Sequence, residues 1–468
     1  MEEQIQIGCA QQVITPRVGT PLSGFIFREN KPSVGIDSPL HVRVLAVRQG
    51  AYFSLLVSFE LLGISQDLEQ HILSCLEQKL GPSFSRSRCV LLATHTHSAP
   101  LVSPLEGESK PDPEYIQLVC EKAASAAQQA IRQLTHARLF FTSLRLPGLT
   151  YNRRAVLADG RVSMALHPDS PVLERGPVDD TLSVLVWRSL DGKNLAVLTH
   201  FGCHGAAVCT QYIHGDIPGE ISKRVGVLFD APCIYIQGVT GDVNPLTTSG
   251  ERPAMLEWVD QFMVSLRDLP TLLEPLPSIP FRTVSSDLPL VYQPLPDRET
   301  VEQNIRGLSK IAHGDVESPE VQLSLKLLSD LMNFRPGERP DPGKAAFAAQ
   351  ALMSAEKRTL AAIENGQPLP PCPLRVSLWR MGQVGFAFVA AELFAITGFQ
   401  IRAAGIGIAL LPATYAACIV GYLPDRESMQ KGGYEVRDAW RFYRQPGPFM
   451  PSSEEYLVNS IRNMAKTL

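Results

Sequence analysis

Cys89-Val90-Leu91-Leu92-Ala93-Thr94-His95-Thr96-His97-Ser98-Ala99-Pro100 is the stretch on which the fold turns. Its first five residues are a short apolar run, the pattern of a strand buried on both faces. Polarity changes abruptly at Thr94, so His95 and His97 stand where a strand ends. Two imidazoles two residues apart on an extended segment point to one side and can converge on one centre. Working outward, Val42 to Val47 and Phe53 to Phe59 read as strands. Ser65 to Leu80 reads as a helix, with Leu68, Ile72, Leu76 and Leu80 at helical spacing and Gly81-Pro82 as its stop. Pro113 opens a second helix through about Gln133, and Arg138 to Leu144 returns as a strand. This alternation predicts an α/β protein, with mixed β-sheets flanked by helices.

The same arrangement recurs downstream. Thr181 to Trp187 and Leu195 to Phe201 form a hairpin pair, the second member feeding Gly202-Cys203-His204-Gly205. Cys233 to Gln237 is another buried strand, ending in Gly238-Val239-Thr240-Gly241-Asp242-Val243-Asn244-Pro245. Strand ends are where open α/β sheets place their sites. From about 294 to 367 the character changes to helical patterns, Val321 to Phe334 and Lys344 to Glu364, broken by Pro336, Pro340 and Pro342. That segment reads as a helical insertion. Strands resume at Arg375 to Trp379 and Val384 to Ala390, the latter running into Ala391-Glu392-Leu393-Phe394.

Composition excludes several functions. The 468 residues are 45% hydrophobic and 19% charged, which is globular rather than disordered. A net charge of -4, with no long basic run, argues against nucleic-acid partners. The N-terminus lacks the basic and apolar segments of a secretory signal. The uncharged stretch Ala403 to Pro424 is interrupted by Gly405, Gly407, Pro412 and Gly421, so it reads as two buried segments rather than a membrane span. Nine scattered cysteines without a CxxC pair suit a reducing compartment, and the expected location is cytoplasmic. Cys203 and Cys209 flank His204, yet buried free thiols are common and packing is their simpler role. A homo-oligomer is left open.

His95 with His97, His200 with His204 in its glycine-rich setting, and Glu392 after its strand are the residue types zinc prefers in a catalytic site, where one position stays open for water. Spacing alone does not prove that they converge.

In order, the motifs resemble the neutral/alkaline non-lysosomal ceramidase family. Ile14-Thr15-Pro16 and Asp37 to Arg43 are similar to its N-terminal strand and "hDPLyaRal" segment, Thr94 to Pro100 to THTHSGP, and Tyr151-Asn152-Arg153 to its N-R element. Phe201 to His204 takes the place of the histidine before PTSM, and Gly241 to Pro245 looks like GDVSP. Ala391-Glu392 with Gly398 resembles P-G-E-F…G, and Gly433-Tyr434-Glu435 the late R-Y-E. The resemblance implies one catalytic domain over 1–468 with the 294–367 helical insertion inside it. It implies a zinc ion held by His95, His204, Glu392 and Tyr434, with Tyr422 as the alternative tyrosine. His97 and Arg153 then lie beside the metal, to orient a carbonyl and stabilise an oxyanion. Asp242 and Asn244 join them as catalytic candidates.

Other polar residues receive plainer readings. His200 is expected to pack or to support a ligand. Asp216 is either a loop residue or a partner to a metal-bound imidazole. Glu220, Asp179 and Asp180 read as a helix cap or a solvated face. His41, His71, His136, His167 and His313 have no partners among the motifs.

The family pattern is broken in three places. Asn244 stands where the family has serine, and an amide donates hydrogen bonds but is no nucleophile. The chain ends at Leu468, with no room for the family's C-terminal immunoglobulin-like domain. No secretory signal or membrane anchor is evident. The expectation is therefore a zinc-dependent hydrolase of an amide, N-acyl bond in a soluble small molecule. Alternatives are hydrolysis of an ester, lactone or glycoside at the same site, or a non-catalytic ligand-binding relative.

Overall fold

The computed structural model describes residues 4–103, 105–164, 168–247, 250–277, 280–331 and 341–468, without the side chains of 329–331. His167 and the last residues of the helical pattern ending at Phe334 lie outside the described residues.

Two sheets stacked face to face form the centre. In the larger, the hydrogen-bonded order is Cys233–Gln237, Asn194–Phe201, Thr181–Ser189, Thr135–Arg145, Gln6–Val13, His41–Gln49, Tyr52–Phe59 and Cys89–Ala93. The smaller runs Phe281–Leu290, Cys372–Met381, Val384–Val389 and Ala409–Ala413. Side-chain alternation sorts the layers. Within His41–Gln49, Leu45 and Val47 face the second sheet's Trp379, Phe386 and Phe388, while Val42, Val44 and Ala46 face the helices Gln66–Leu80 and Pro113–Arg132. Asp216–Phe229 and Arg252–Val264 cover another part of the large sheet. Ala395–Ala404 and Ser453–Ala465 cover the small one. The expected class, mixed sheets flanked by helices, is the one observed.

Local chemistry explains the helix boundaries. Ser65 caps the first helix by accepting from Leu68 N at 3.2 Å, and Leu68, Ile72 and Leu76 are buried along one face. Full burial of each such side chain stabilises by roughly 1.5–3 kcal/mol. Asp112 caps the second helix, whose alanines at 123, 124, 126, 127 and 130 let it lie tightly on the sheet. At the closest approach is Gly8, where a Cβ would stand 1.9 Å from Ala130 O.

One segment ties the edges of both sheets together. Ala93 N donates to Tyr415 O at 3.1 Å, Thr414 N to Gln237 O at 3.0 Å, and Ala417 N to Leu91 O at 2.8 Å. The ends of Cys89–Ala93, Cys233–Gln237 and Val384–Val389, all parallel-paired strands, are thereby brought to one place. The helices Arg298–Ala312, Gln322–Leu331 and Pro342–Asn365 share a cluster with Phe442, with Ile26 and Tyr434 packed on it. Arg441 to Glu356 at 2.6 Å and Arg358 to Glu106 at 2.5 Å tie the last of these helices to the rest of the chain.

Candidate metal centre

His95 is delivered by a chain that must turn sharply after Ala93. Its φ of 64° is rare for a residue with a side chain and carries strain on the order of 1–3 kcal/mol. Gly205 makes the turn feasible, since a Cβ there would lie 2.5 Å from His95 O. The His95 ring stacks on Tyr415 at 3.9 Å. His97 N donates to Gly205 O at 2.9 Å, so the two histidine loops are laced together.

Each imidazole is oriented by a backbone carbonyl. Nδ1 of His95 meets Leu62 O at 2.7 Å, that of His97 meets Gly24 O at 3.0 Å, and that of His204 meets Thr240 O at 3.1 Å. A carbonyl only accepts, so all three Nδ1 atoms carry the proton and all three Nε2 atoms present lone pairs. Those lone pairs converge: His97 Nε2 is 3.0 Å from His204 Nε2 and 3.3 Å from His95 Nε2. Burial first, then neighbouring charge including Arg153, holds His97 and His204 well below the usual histidine pKa. His95 is lowered by burial too, against the upward pull of Glu392.

Neutral lone pairs at this separation repel, and a cation between them removes the repulsion. The ligand nitrogens of His95, His97 and His204 all lie within 4.8 Å of one another, within reach of a single ion. Glu392, fully buried, adds a carboxylate with Oε2 3.7 Å from His95 Nε2. Its Oε2 accepts from Tyr415 at 2.9 Å and its Oε1 from Tyr443. Tyr415 also bonds Thr240 Oγ1 at 2.8 Å, which joins the Glu392 arm to the His204 arm. The donor set fits a divalent cation.

Residues 5–222 match the family model for the neutral/alkaline non-lysosomal ceramidase N-terminal domain. Over those residues the chain is similar to the neutral/alkaline non-lysosomal ceramidases. The neutral ceramidase of Pseudomonas aeruginosa superposes with a TM-score of 0.69 at 18% identity, covering 99% of this chain and 74% of that one. A ceramidase structure described as complexed with C2 gives 0.70 at 18% identity, over 99% and 75% of the two chains. At such identity the likeness shows a shared fold. The ceramidase relationship supports a hydrolase, and the buried histidine group is the place where a metal ion can be held.

The residues expected from the ceramidase resemblance gather at this centre, with differences in rank. His97 reaches both other imidazoles, and of the three it alone is not fully buried. Arg153 bonds Tyr422 Oη at 2.9 Å, Asn244 Oδ1 at 3.4 Å and Glu435 Oε1 at 3.1 Å. Tyr422 pairs in register with Glu392, whereas Tyr434 sits ring to ring with Tyr422, 6.1 Å between centroids. Burial, reinforced by Glu392, pushes the Tyr434 phenol up. Asp242 is turned to structural work: Asn152 Nδ2 donates to it at 2.6 Å and Ala395 N at 2.8 Å. Burial raises it to about 6.

Some plainer expectations need correction, while those for His200 and Cys203 as packing residues agree with the structure. Asp216 supports no metal-facing imidazole; its carboxylate accepts from Ala207, Val208 and Ile217 N–H groups, and carbonyls orient the histidines instead. Asp179 is neither a helix cap nor solvated, but is buried and paired with Arg402 at 2.8 Å. Glu220 pairs with Arg224 at 2.8 Å, and Asp180 with Arg145. His200 is a packing residue, its Nε2 on Pro412 O at 2.7 Å. The Cys203 thiol is pushed well up by burial, which removes it as a nucleophile. His41 pairs with Glu60 at 3.4 Å, and His313 caps its own helix end through Ser309 O. Sequence reasoning missed Tyr415, Tyr443, Thr240 and Glu435 as supports. Glu435 lay within a quoted motif and Thr240 in the quoted turn after Cys233 to Gln237, whereas Tyr415 and Tyr443 lay in neither.

Proposed function

We propose that this chain is a zinc-dependent hydrolase that cleaves an amide, N-acyl bond in a small soluble molecule. The observation that carries it is the convergence of three Nε2 lone pairs beside the buried Glu392. His95, His204 and Glu392 would hold the ion, with a tyrosine completing the set. Tyr422 is the candidate here, because it pairs beside Glu392 and accepts from Arg153; burial pushes its phenol well up, as it does that of Tyr434, so the ion itself would have to draw off the proton. Bound there, zinc would acidify water and polarise a carbonyl.

His97, its Nε2 lone pair facing the other imidazoles and its ring the least buried of the three, accepts the proton of the attacking water. Arg153 directs its charge at the carbonyl oxygen as negative charge develops there. Asn244 steadies Arg153 as an acceptor, a part that needs no hydroxyl. The insertion helices pack on Tyr434 and Phe442 beside the site, which supports their selecting what enters. All nine cysteines are free, in keeping with a cytoplasmic setting. Among the described residues no helix is long and apolar enough to cross a membrane.

The test is elemental analysis of the purified protein with a panel of N-acyl amino acids, N-acyl sugars, ceramide, esters and lactones. Near one zinc per chain with turnover of soluble amides is expected. A folded protein that binds no metal, or one that cleaves only esters, would overturn the proposal.

A further inference from the structure

Glu435 is buried and reaches two guanidinium groups at once. Its Oε1 accepts from Arg153 Nε at 3.1 Å, and its Oε2 accepts from Arg154 Nη1 at 2.5 Å. Arg154 is pinned on its far side by Gly432 O at 2.6 Å and lies over the Phe394 ring. Glu435 is thus itself held in place by a partner that does not face the histidines. Arg153 has five N–H donors in one plane. Nε takes Glu435, Nη1 takes Asn244 and Nη2 takes Tyr422, which leaves one N–H on each terminal nitrogen. Its backbone is tied as well, Arg153 N donating to Asp242 O at 2.8 Å.

The bond at Nε matters most for orientation, because it fixes the guanidinium at its root while the terminal nitrogens point onward. One carboxylate shared between two guanidinium groups also does not by itself neutralise both of them. Arg153 is thereby held without being fully neutralised. A group meant to meet developing negative charge needs both features, since fixed orientation avoids reorganisation and unspent charge supplies the attraction.

We propose that Glu435 is a positioning residue that fixes the Arg153 guanidinium in the orientation in which it contacts the substrate carbonyl oxygen. The inference rests on the reading of Arg153 given above. It extends to a residue that touches neither substrate nor metal.

A double-mutant cycle tests it, run with whichever substrate class the wild type turns over. Glu435→Gln is expected to lower kcat on the order of 100-fold with KM little changed. In an Arg153→Ala background the same substitution should cost less than about threefold, because the residue it acts through is already gone. Equal losses in both backgrounds would mean that Glu435 serves the fold alone, and the proposal would fall. Should Glu435→Gln not fold, Glu435→Asp keeps the charge, shortens the reach by one methylene and is read in the same cycle. Absence of any wild-type turnover would count against the hydrolase reading, and crystal structures of wild type and Glu435→Asp then decide the positioning separately. A displaced Arg153 guanidinium in the variant supports it, and an unmoved one overturns it.

Discussion

His97 Nε2 stands 3.0 Å from His204 Nε2, with the opposite nitrogen of each ring committed to a backbone carbonyl. Neither ring can rotate to donate to the other without abandoning that carbonyl. The pair is therefore preorganised for something positive between or before them, at a cost the fold has already met.

The two histidines should nevertheless separate by experiment. His95→Ala, His204→Ala and Glu392→Ala are each expected to lose bound zinc while remaining folded by circular dichroism. His97→Ala should keep most of its zinc and lose about 100- to 10,000-fold in kcat, the range for a general base. Zinc loss in His97→Ala equal to that in His95→Ala would move His97 into the ligand set.

Tyr443 and Tyr415 each donate to one oxygen of Glu392. Removing either hydroxyl frees the carboxylate to turn. Tyr443→Phe and Tyr415→Phe should weaken zinc binding about 10- to 100-fold, the usual effect of losing a bond to a ligand. Competition against a fluorescent chelator reads this directly, without reference to turnover.

Tyr422 and Tyr434 differ in what faces them. Arg153 donates to the Tyr422 hydroxyl, whereas Tyr434 meets Tyr422 and Phe442 through its ring. Tyr422→Phe is expected to lower zinc affinity and kcat together, and Tyr434→Phe to raise KM with metal content unchanged. The reverse pattern would restore Tyr434 as the metal-facing phenol.

His200 gives a prediction about acid stability. Burial, with Arg402 nearby, lowers its pKa from about 6.5 to about 4. Between those values the unfolded chain binds the proton and the folded chain does not, so stability is complete above about pH 6.5 and falls as pH drops toward 4. The loss amounts to roughly 3 kcal/mol at one residue. His200→Gln can keep the donor to Pro412 O and removes the titration. Denaturant unfolding from pH 7 to pH 4 should show a shallower decline in the variant than in wild type. Parallel curves would refute the assignment.

Sequence alone carried the order of elements a long way. Apolar runs such as Cys89 to Ala93 and the spacing of Leu68, Ile72 and Leu76 express themselves locally, because backbone geometry sets a period of two or 3.6 residues. The same local rule put His95, His204 and Glu392 at strand ends, and the order of motifs supplied the resemblance to the ceramidases. What supports the centre was decided elsewhere. Tyr415 is far in sequence from Thr240, and Tyr443 from Glu392. Gly24 orients His97 across a comparable gap. A carbonyl acceptor such as Leu62 O leaves no residue-type signal, since every residue has one. Asp216 shows the converse, a residue of suggestive type whose carboxylate the folded chain commits to three backbone N–H groups, those of Ala207, Val208 and Ile217. Local sequence determined which residues stand at the ends of strands. Only the curling of two sheets around the 414–417 segment decided which of those ends meet, because that depends on contacts between residues that no local pattern relates.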